Sequence, residues 1–280
     1  MTLATCGKQM SSDDIFLPSY DLRKELYNNR ALIFKDVSFD ENSFWNFSSK
    51  FGTPWNKEQY VKAKERDIID LDDERSITLY HQKSYQRLMF TIDAHADVTN
   101  EPHSQPLPTR ILYLLTLPEK FSGGETFLID LIKAYKQYPV EVIEKYKNYE
   151  ILYQSWQNVG TYRNWYKLVQ YHPYTNEPFF LLNYCSQTVH YPWVIGFRDG
   201  NGDHHSINEV QELINLSQEL NYSEISWKHN NMLVMDNIGM LHGRTMLNID
   251  SSSINLRAMW RCTIEHNLEH NIKPIQQLDI

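Results

Sequence analysis

Cysteine is scarce in this chain of 280 residues: Cys6, Cys185 and Cys262 are the only three, far apart and with no Cys-x-x-Cys pair. An odd set of isolated thiols gives no disulfide framework and fits a reducing compartment. Glycine is low as well, at ten residues, which leaves little material for flexible linkers. No block of five or more like charges occurs, and the formal net charge is −8. A phosphate-backbone binder needs a basic face, so no nucleic-acid partner is expected. No run of eighteen apolar residues is present, so no membrane span is expected. The opening MTLATCGKQM lacks the charged-then-apolar order of a secretory signal. These absences together predict a soluble cytoplasmic protein.

What the chain has in quantity is aromatic side chains, with 18 Tyr, 12 Phe and 7 Trp. Residues 30–37, RALIFKDV, form a short apolar run suited to a buried strand. Phe44, Phe47 and Phe51 then recur at helical spacing after a Ser/Asp/Asn cluster and stop at Gly52 and Pro54. Residues 56–92 show no clear period and predict a partly irregular region, a candidate lid. From 109 onward the pattern is β: TRILYLLTL, GGETFLID, a hairpin within KLVQYHPYTNEPFFLLNY, then NMLVMDN and INLRAMWRCTIEH. Helical patterns intervene at 130–148, broken at Pro139, and at SINEVQELINLSQEL, where Ser206 and Glu209 have the spacing of a capping box. The pattern predicts a mainly β fold, a sandwich or barrel decorated by helices. A chain of this length can be a single closed β domain.

One stretch, DAHADVTNEPHSQPLP, carries two histidines eight apart, His95 and His103. Alternate strand residues share a face, so His95 and Asp97 can point together while Ala96 turns away. His242, near the end of a later strand pattern, is the best third candidate. Two imidazoles and one carboxylate on one face of an octahedron leave exchangeable positions, as in non-haem Fe(II) oxygenases. His103 is followed two places on by Gln105, which has no charge to offer a metal. Further along, Arg257 and Arg261 share a strand face with Met259. If that face looks inward, two guanidinium groups are buried and call for anions, a carboxylate being the natural bidentate partner. The alternative is an outward arginine face on a solvated strand.

At these residues the chain resembles the taurine/2,4-dichlorophenoxyacetate dioxygenase family of Fe(II)- and 2-oxoglutarate-dependent oxygenases (TauD/TfdA-like). The resemblance runs from about residue 20 to 266. It is carried, in order, by RALIFKDV…FWNFSSKFG, HADVT, LPTRILYLLTLPEKFSGGETFLIDLIKAYKQYP, HPYTNEPFFLLN, and MDNIGMLH followed by RAMWR. It implies one catalytic domain over 1–280 with a double-stranded β-helix core, a jelly roll of cupin-like form. It implies His95, Asp97 and His242 as iron ligands. Thr126 and Arg257 would hold the far carboxylate of 2-oxoglutarate, with Arg261 near the substrate or the keto-acid end. The stretch NIDSSSIN lengthens the gap between His242 and Arg257 relative to the family, and Ala94 stands where the family has tryptophan.

The implied cofactor is Fe(II), with 2-oxoglutarate and O2 as co-substrates and succinate and CO2 as products. Asp97 disfavours halogenation, because halogenases have a small residue there. Hydroxylation of an unactivated C–H is the default outcome, with desaturation or cyclisation as the alternative. The segments expected to face the metal, residues 60–95, 98–107 and 155–166, include Tyr60, His103, Gln105, Asn158, Arg163 and Trp165. Such groups suit a small polar molecule with an anionic end, an amino acid or a metabolite derived from one. His103, Gln105, Asn158 and Arg163 are the candidate substrate contacts. No membrane partner is expected, and a homo-oligomer is left open. The competing readings are a non-catalytic barrel that binds a ligand, and a zinc hydrolase built on the same triad. DGNGDHH, from Asp199 to His205, imitates a calcium loop, but His204 replaces the required glycine and Val210 the required glutamate; it is expected to be a turn. His172, in HPYT, is expected to form a structural corner.

Overall fold

The structure is a computed structural model that describes residues 6–62, 67–72, 74–81, 92–96, 109–116, 121–154, 163–183, 194–249, 257–264 and 276–278. It is mainly β with inserted helices. One sheet has seven strands, in the order Lys8–Met10, Ala31–Phe34, Met232–Asp236, Thr109–Thr116, Ala258–Ile264, Ser76–His81 and Ile68–Asp70. A second has four: Tyr222–Ile225, Thr126–Asp130, Met240–Arg244 and Ile92–His95. A third joins Val194–Arg198, Glu150–Gln154, Arg163–Lys167 and Gln276–Leu278.

Alternation along the strands assigns each residue a layer. In the large sheet, Leu32, Phe34, Met232, Val234, Trp260 and Cys262 pack outward, in one cluster with Leu22 and Leu26 of the helix Ser19–Asn29 and Phe44 and Phe47 of the helix Glu41–Ser48. Their neighbours Ala31, Ile33, Leu233, Met235 and Met259 turn the other way. They meet Leu128 and Met240 of the four-stranded sheet, together with Ile225 and Trp227. The opposite face of that sheet, with Ile129 and Leu241, packs against Leu213 and Ile214 of the helix Asn208–Leu220 and against Ile151 and Tyr166 of the third sheet. The fold is therefore layered around an inner space between the seven-stranded sheet and the four-stranded sheet that contains Met240–Arg244.

Local signals explain most boundaries. Asp40 and Ser43 form a reciprocal capping box, with Ser43 N–H donating to Asp40 Oδ1 at 2.7 Å and Asp40 N–H to Ser43 Oγ at 2.9 Å. Pro139 separates the helices Leu131–Gln137 and Val140–Tyr146, as its sequence position predicts. The Ser206/Glu209 box does not form. Ser206 Oγ accepts from Asn208 N–H at 3.2 Å, but the Glu209 carboxylate turns to Lys145 Nζ and the Tyr146 hydroxyl. Within residues 56–92 the described residues include the helix Lys57–Lys62, the edge strand Ile68–Asp70 and its neighbour Ser76–His81, while 63–66, 73 and 82–91 lie outside the described residues. Asp199–His205 is a turn, in which Asp199 Oδ1 accepts from the Asn201 and Asp203 backbone. Cys6 and Cys262 are buried, and burial pushes the Cys6 thiol up to about 12, away from the reactive thiolate. No helix among the described residues is long and apolar enough to cross a membrane.

Candidate metal and dicarboxylate site

His242 has the same strand parity as Met240, and therefore faces the inner space. Across the ladder its direct partner is His95. The two rings lie 4.4 Å apart between centroids, tilted by 43°. Ala94 and Ala96, on either side of His95, pack outward with Ile129 and Leu241, which leaves His95 on the inner face as expected. The His95 Nδ1 atom is 2.8 Å from the Asp93 carbonyl. A carbonyl can only accept, so Nδ1 carries the proton and Nε2 keeps its lone pair for a ligand. Two neighbouring imidazoles are a donor type suited to a divalent transition metal, and they fit the iron that the resemblance implies. Among the described residues no third His, Cys, Asp or Glu joins them; Asp97 lies outside the described residues.

The strand holding His95 ends at a side-chain clamp. Ala96 N–H donates to Asn183 Oδ1 at 3.0 Å, and Asn183 Nδ2 donates back to the Ala96 carbonyl at 2.9 Å. On the His242 strand, Gly243 faces outward beneath the Phe127 ring. A Cβ at Gly243 would sit 2.1 Å from Phe127 Cζ and 2.4 Å from the Ile92 carbonyl oxygen. Only glycine allows the strands to approach this closely next to His242.

The second half of the site is polar and buried. Thr126 has the inward parity of Leu128 and is directly cross-strand from Arg244. The Trp227 indole N–H donates to Thr126 Oγ1 at 2.8 Å. The Arg257 guanidinium carbon lies 5.8 Å from the centroid of the same indole ring, within cation–π range. Thr126, Arg244 and Arg257 are each no more than 5 % exposed. The inward reading of the arginine strand holds, since Met259 packs in the inner cluster while Trp260 and Cys262 pack outside. Arg261, on the same side, is half-buried, and its Nε–H donates to Thr78 Oγ1 at 3.3 Å. Burial draws the Arg261 guanidinium below its usual value.

The expected substrate contacts divide differently. His103, Gln105 and Asn158 lie outside the described residues. Arg163 is exposed at the start of Arg163–Lys167, in the third sheet and not in the sheet that carries both imidazoles. Trp165 packs beneath Arg198, whose guanidinium carbon is 4.0 Å from its ring centroid, and against His204. Tyr60 is a core residue, fully buried, whose hydroxyl accepts the Thr263 N–H at 3.1 Å. Trp227, Arg244 and Asn183 were not anticipated. Arg244 could have been found from its i+2 relation to His242, and Gly243 from being a glycine inside a strand. Trp227 and Asn183 reach their partners across 101 and 87 residues, with no local signal.

The family model described as "Taurine catabolism dioxygenase TauD, TfdA family" matches residues 11–263. Solved structures with similar folds include a taurine dioxygenase from Burkholderia xenovorans, at TM-score 0.71 and 16% identity, covering 98% of this chain and 92% of that one. Another is AAD-2 in complex with Mn(II) and N-oxalylglycine, at TM-score 0.67 and 15% identity, covering 94% and 96% of the two chains. PvcB from Pseudomonas aeruginosa follows at TM-score 0.63 and 14% identity, covering 92% and 85%. No curated protein matches the sequence.

Proposed function

The chain belongs to the taurine catabolism dioxygenase TauD, TfdA family of iron- and 2-oxoglutarate-dependent dioxygenases, and on that premise we propose that it hydroxylates an unactivated C–H of a small polar substrate. The overall balance is substrate C–H, 2-oxoglutarate and O2 giving substrate C–OH, succinate and CO2. A bound Fe(II) supplies the oxygen activation. In this reading His95, Asp97 and His242 hold the metal, and the seven-stranded sheet and the four-stranded sheet of His95 and His242 are the halves of a double-stranded β-helix. One observation carries the reading: the His95–His242 pair shares an inner face with the buried Thr126–Trp227–Arg257 group. An imidazole pair beside a buried guanidinium and hydroxyl suits a ligand that chelates metal at one end and carries a carboxylate at the other.

The chain's own groups then have distinct tasks. Arg257 pairs with the far carboxylate of 2-oxoglutarate, where burial strengthens the attraction, and the Thr126 hydroxyl donates to it. The Asp93 carbonyl holds the His95 ring through Nδ1 and so orients its Nε2 side. Leu128, Met240 and Met259 give the inner space an apolar wall that limits water. Arg261 faces the same space and offers its charge to the anionic end of a substrate, an amino acid or a metabolite derived from one.

The test is an anaerobic titration of metal-free protein with Fe(II) and then 2-oxoglutarate, followed in the visible. A weak charge-transfer band that needs both additions is expected. Folded, iron-loaded protein that gives no such band would overturn the proposal and favour the binding-protein reading.

A further inference from the structure

Trp227 lies just beyond the strand Tyr222–Ile225, buried among Leu128, Met235 and Met259, and touches both polar members of the proposed 2-oxoglutarate pocket. Its indole N–H points at Thr126 Oγ1 from 2.8 Å, and its ring lies beside the Arg257 guanidinium. An indole nitrogen can only donate, whereas a threonine hydroxyl has one hydrogen to give and two lone pairs to receive. The indole therefore occupies a lone pair and leaves the Thr126 hydrogen for an acceptor on another side. A hydroxyl donor and a guanidinium charge set against one indole together suit an anion, and a carboxylate in particular.

We propose that Trp227 is a positioning residue for the far carboxylate of the co-substrate: it fixes the Thr126 hydroxyl as a donor and sets the plane beside which Arg257 lies. The inference rests on the proposed function above and adds a determinant of co-substrate selectivity that acts through Thr126 and Arg257. A packing role alone would not distinguish a co-substrate with a far carboxylate from one without it.

The experiment measures dissociation constants by calorimetry for the Mn(II)-loaded full chain, using 2-oxoglutarate and 2-oxopentanoate, the same carbon chain without the far carboxylate. Trp227→Phe keeps a ring and removes the donor. It is expected to weaken 2-oxoglutarate roughly tenfold, the size expected for one hydrogen bond serving a charged group, and 2-oxopentanoate by less than about twofold. Trp227→His, which keeps a ring N–H, is expected to restore part of the preference and serves as the second variant should Trp227→Phe not fold. In a Thr126→Val background, Trp227→Phe is expected to add little further loss of preference. Equal weakening of both ligands, or an unchanged preference in a folded Trp227→Phe or a full loss of it in Trp227→His, overturns the inference. Failure of the wild-type protein to prefer 2-oxoglutarate at all would instead overturn the function on which it rests.

Discussion

His172 and His95 are both built into the body of the protein, yet their surroundings differ in kind. His172 is 1% exposed, hydrogen-bonded at Nδ1 and within ion-pair distance of a carboxylate at Nε2. Its Nδ1 accepts from the Thr175 backbone at 3.3 Å, and its Nε2 lies 3.0 Å from the buried Asp236 carboxylate. Asp236 in turn faces Arg30, which also pairs with Glu177. Every charge in that corner meets an opposite one supplied by the fold. His95 is tied through Nδ1 alone, to a carbonyl, and presents its other nitrogen on the inner face beside His242. A histidine engaged at both nitrogens serves the fold, and one engaged at a single nitrogen is prepared for a ligand.

The sharpest way to break this contrast is to remove each imidazole separately. His95→Ala, like Asp97→Ala and His242→Ala, is expected to abolish turnover, by more than about a thousandfold as judged from the loss of a catalytic metal site. Urea unfolding should show nearly unchanged stability. Unchanged hydroxylation by Asp97→Ala would remove that residue from the metal set. His172→Ala should do the reverse. Removing one of the two partners of the buried Asp236 carboxylate should cost a few kcal/mol, up to about 3, while the folded fraction should still form the Fe(II)–2-oxoglutarate band.

Arg257→Met tests the charged side of the inner face. It should raise the KM for 2-oxoglutarate by roughly ten- to a hundredfold, from the strength of hydrogen bonds to charged groups, with a far smaller change in stability. Equal losses with 2-oxoglutarate and 2-oxopentanoate would mean that Arg257 does not meet the far carboxylate. Gly243→Ala should destabilise by about 1–3 kcal/mol as an overpacked site and also weaken metal binding, because the strand of His242 must shift. A fully retained metal affinity would separate the glycine from the site.

The smallest effect is in the acid range. Burial pushes the Asp236 carboxyl up, but His172 and Arg30 beside it more than reverse this and hold it below the usual carboxylate range. A lowered folded-state pKa stabilises above the unfolded value and loses that contribution as pH falls through the folded one. Acid unfolding followed by circular dichroism should therefore show a transition steepened by Asp236. Asp236→Asn should flatten it while lowering stability at neutral pH.

The inward face was legible because a strand repeats every two residues: once Ala96 or Met259 has a side, His95 and Arg261 have theirs, whereas Arg257 lies before the strand and a register shift and is placed by its contact with Trp227. The capping box at Ser206 was misread because its local pattern competes with Lys145 and Tyr146, which only the folded chain brings to Glu209. Edge strands such as Ile68–Asp70 span three residues, too few to display a period. Trp227 reads as one more core aromatic, and only its long-range bond to Thr126 marks it out.

The reciprocal amide bond between Asn183 and Ala96 has an evolutionary consequence. A side chain there takes the role of an adjoining strand and anchors the backbone between two expected ligands from outside the ladder. The sequence after Asp97 can then gain, lose or exchange residues without passing strain back to His95. Under the proposed function, changes downstream of that anchor would alter substrate contacts while leaving the His95 backbone in place.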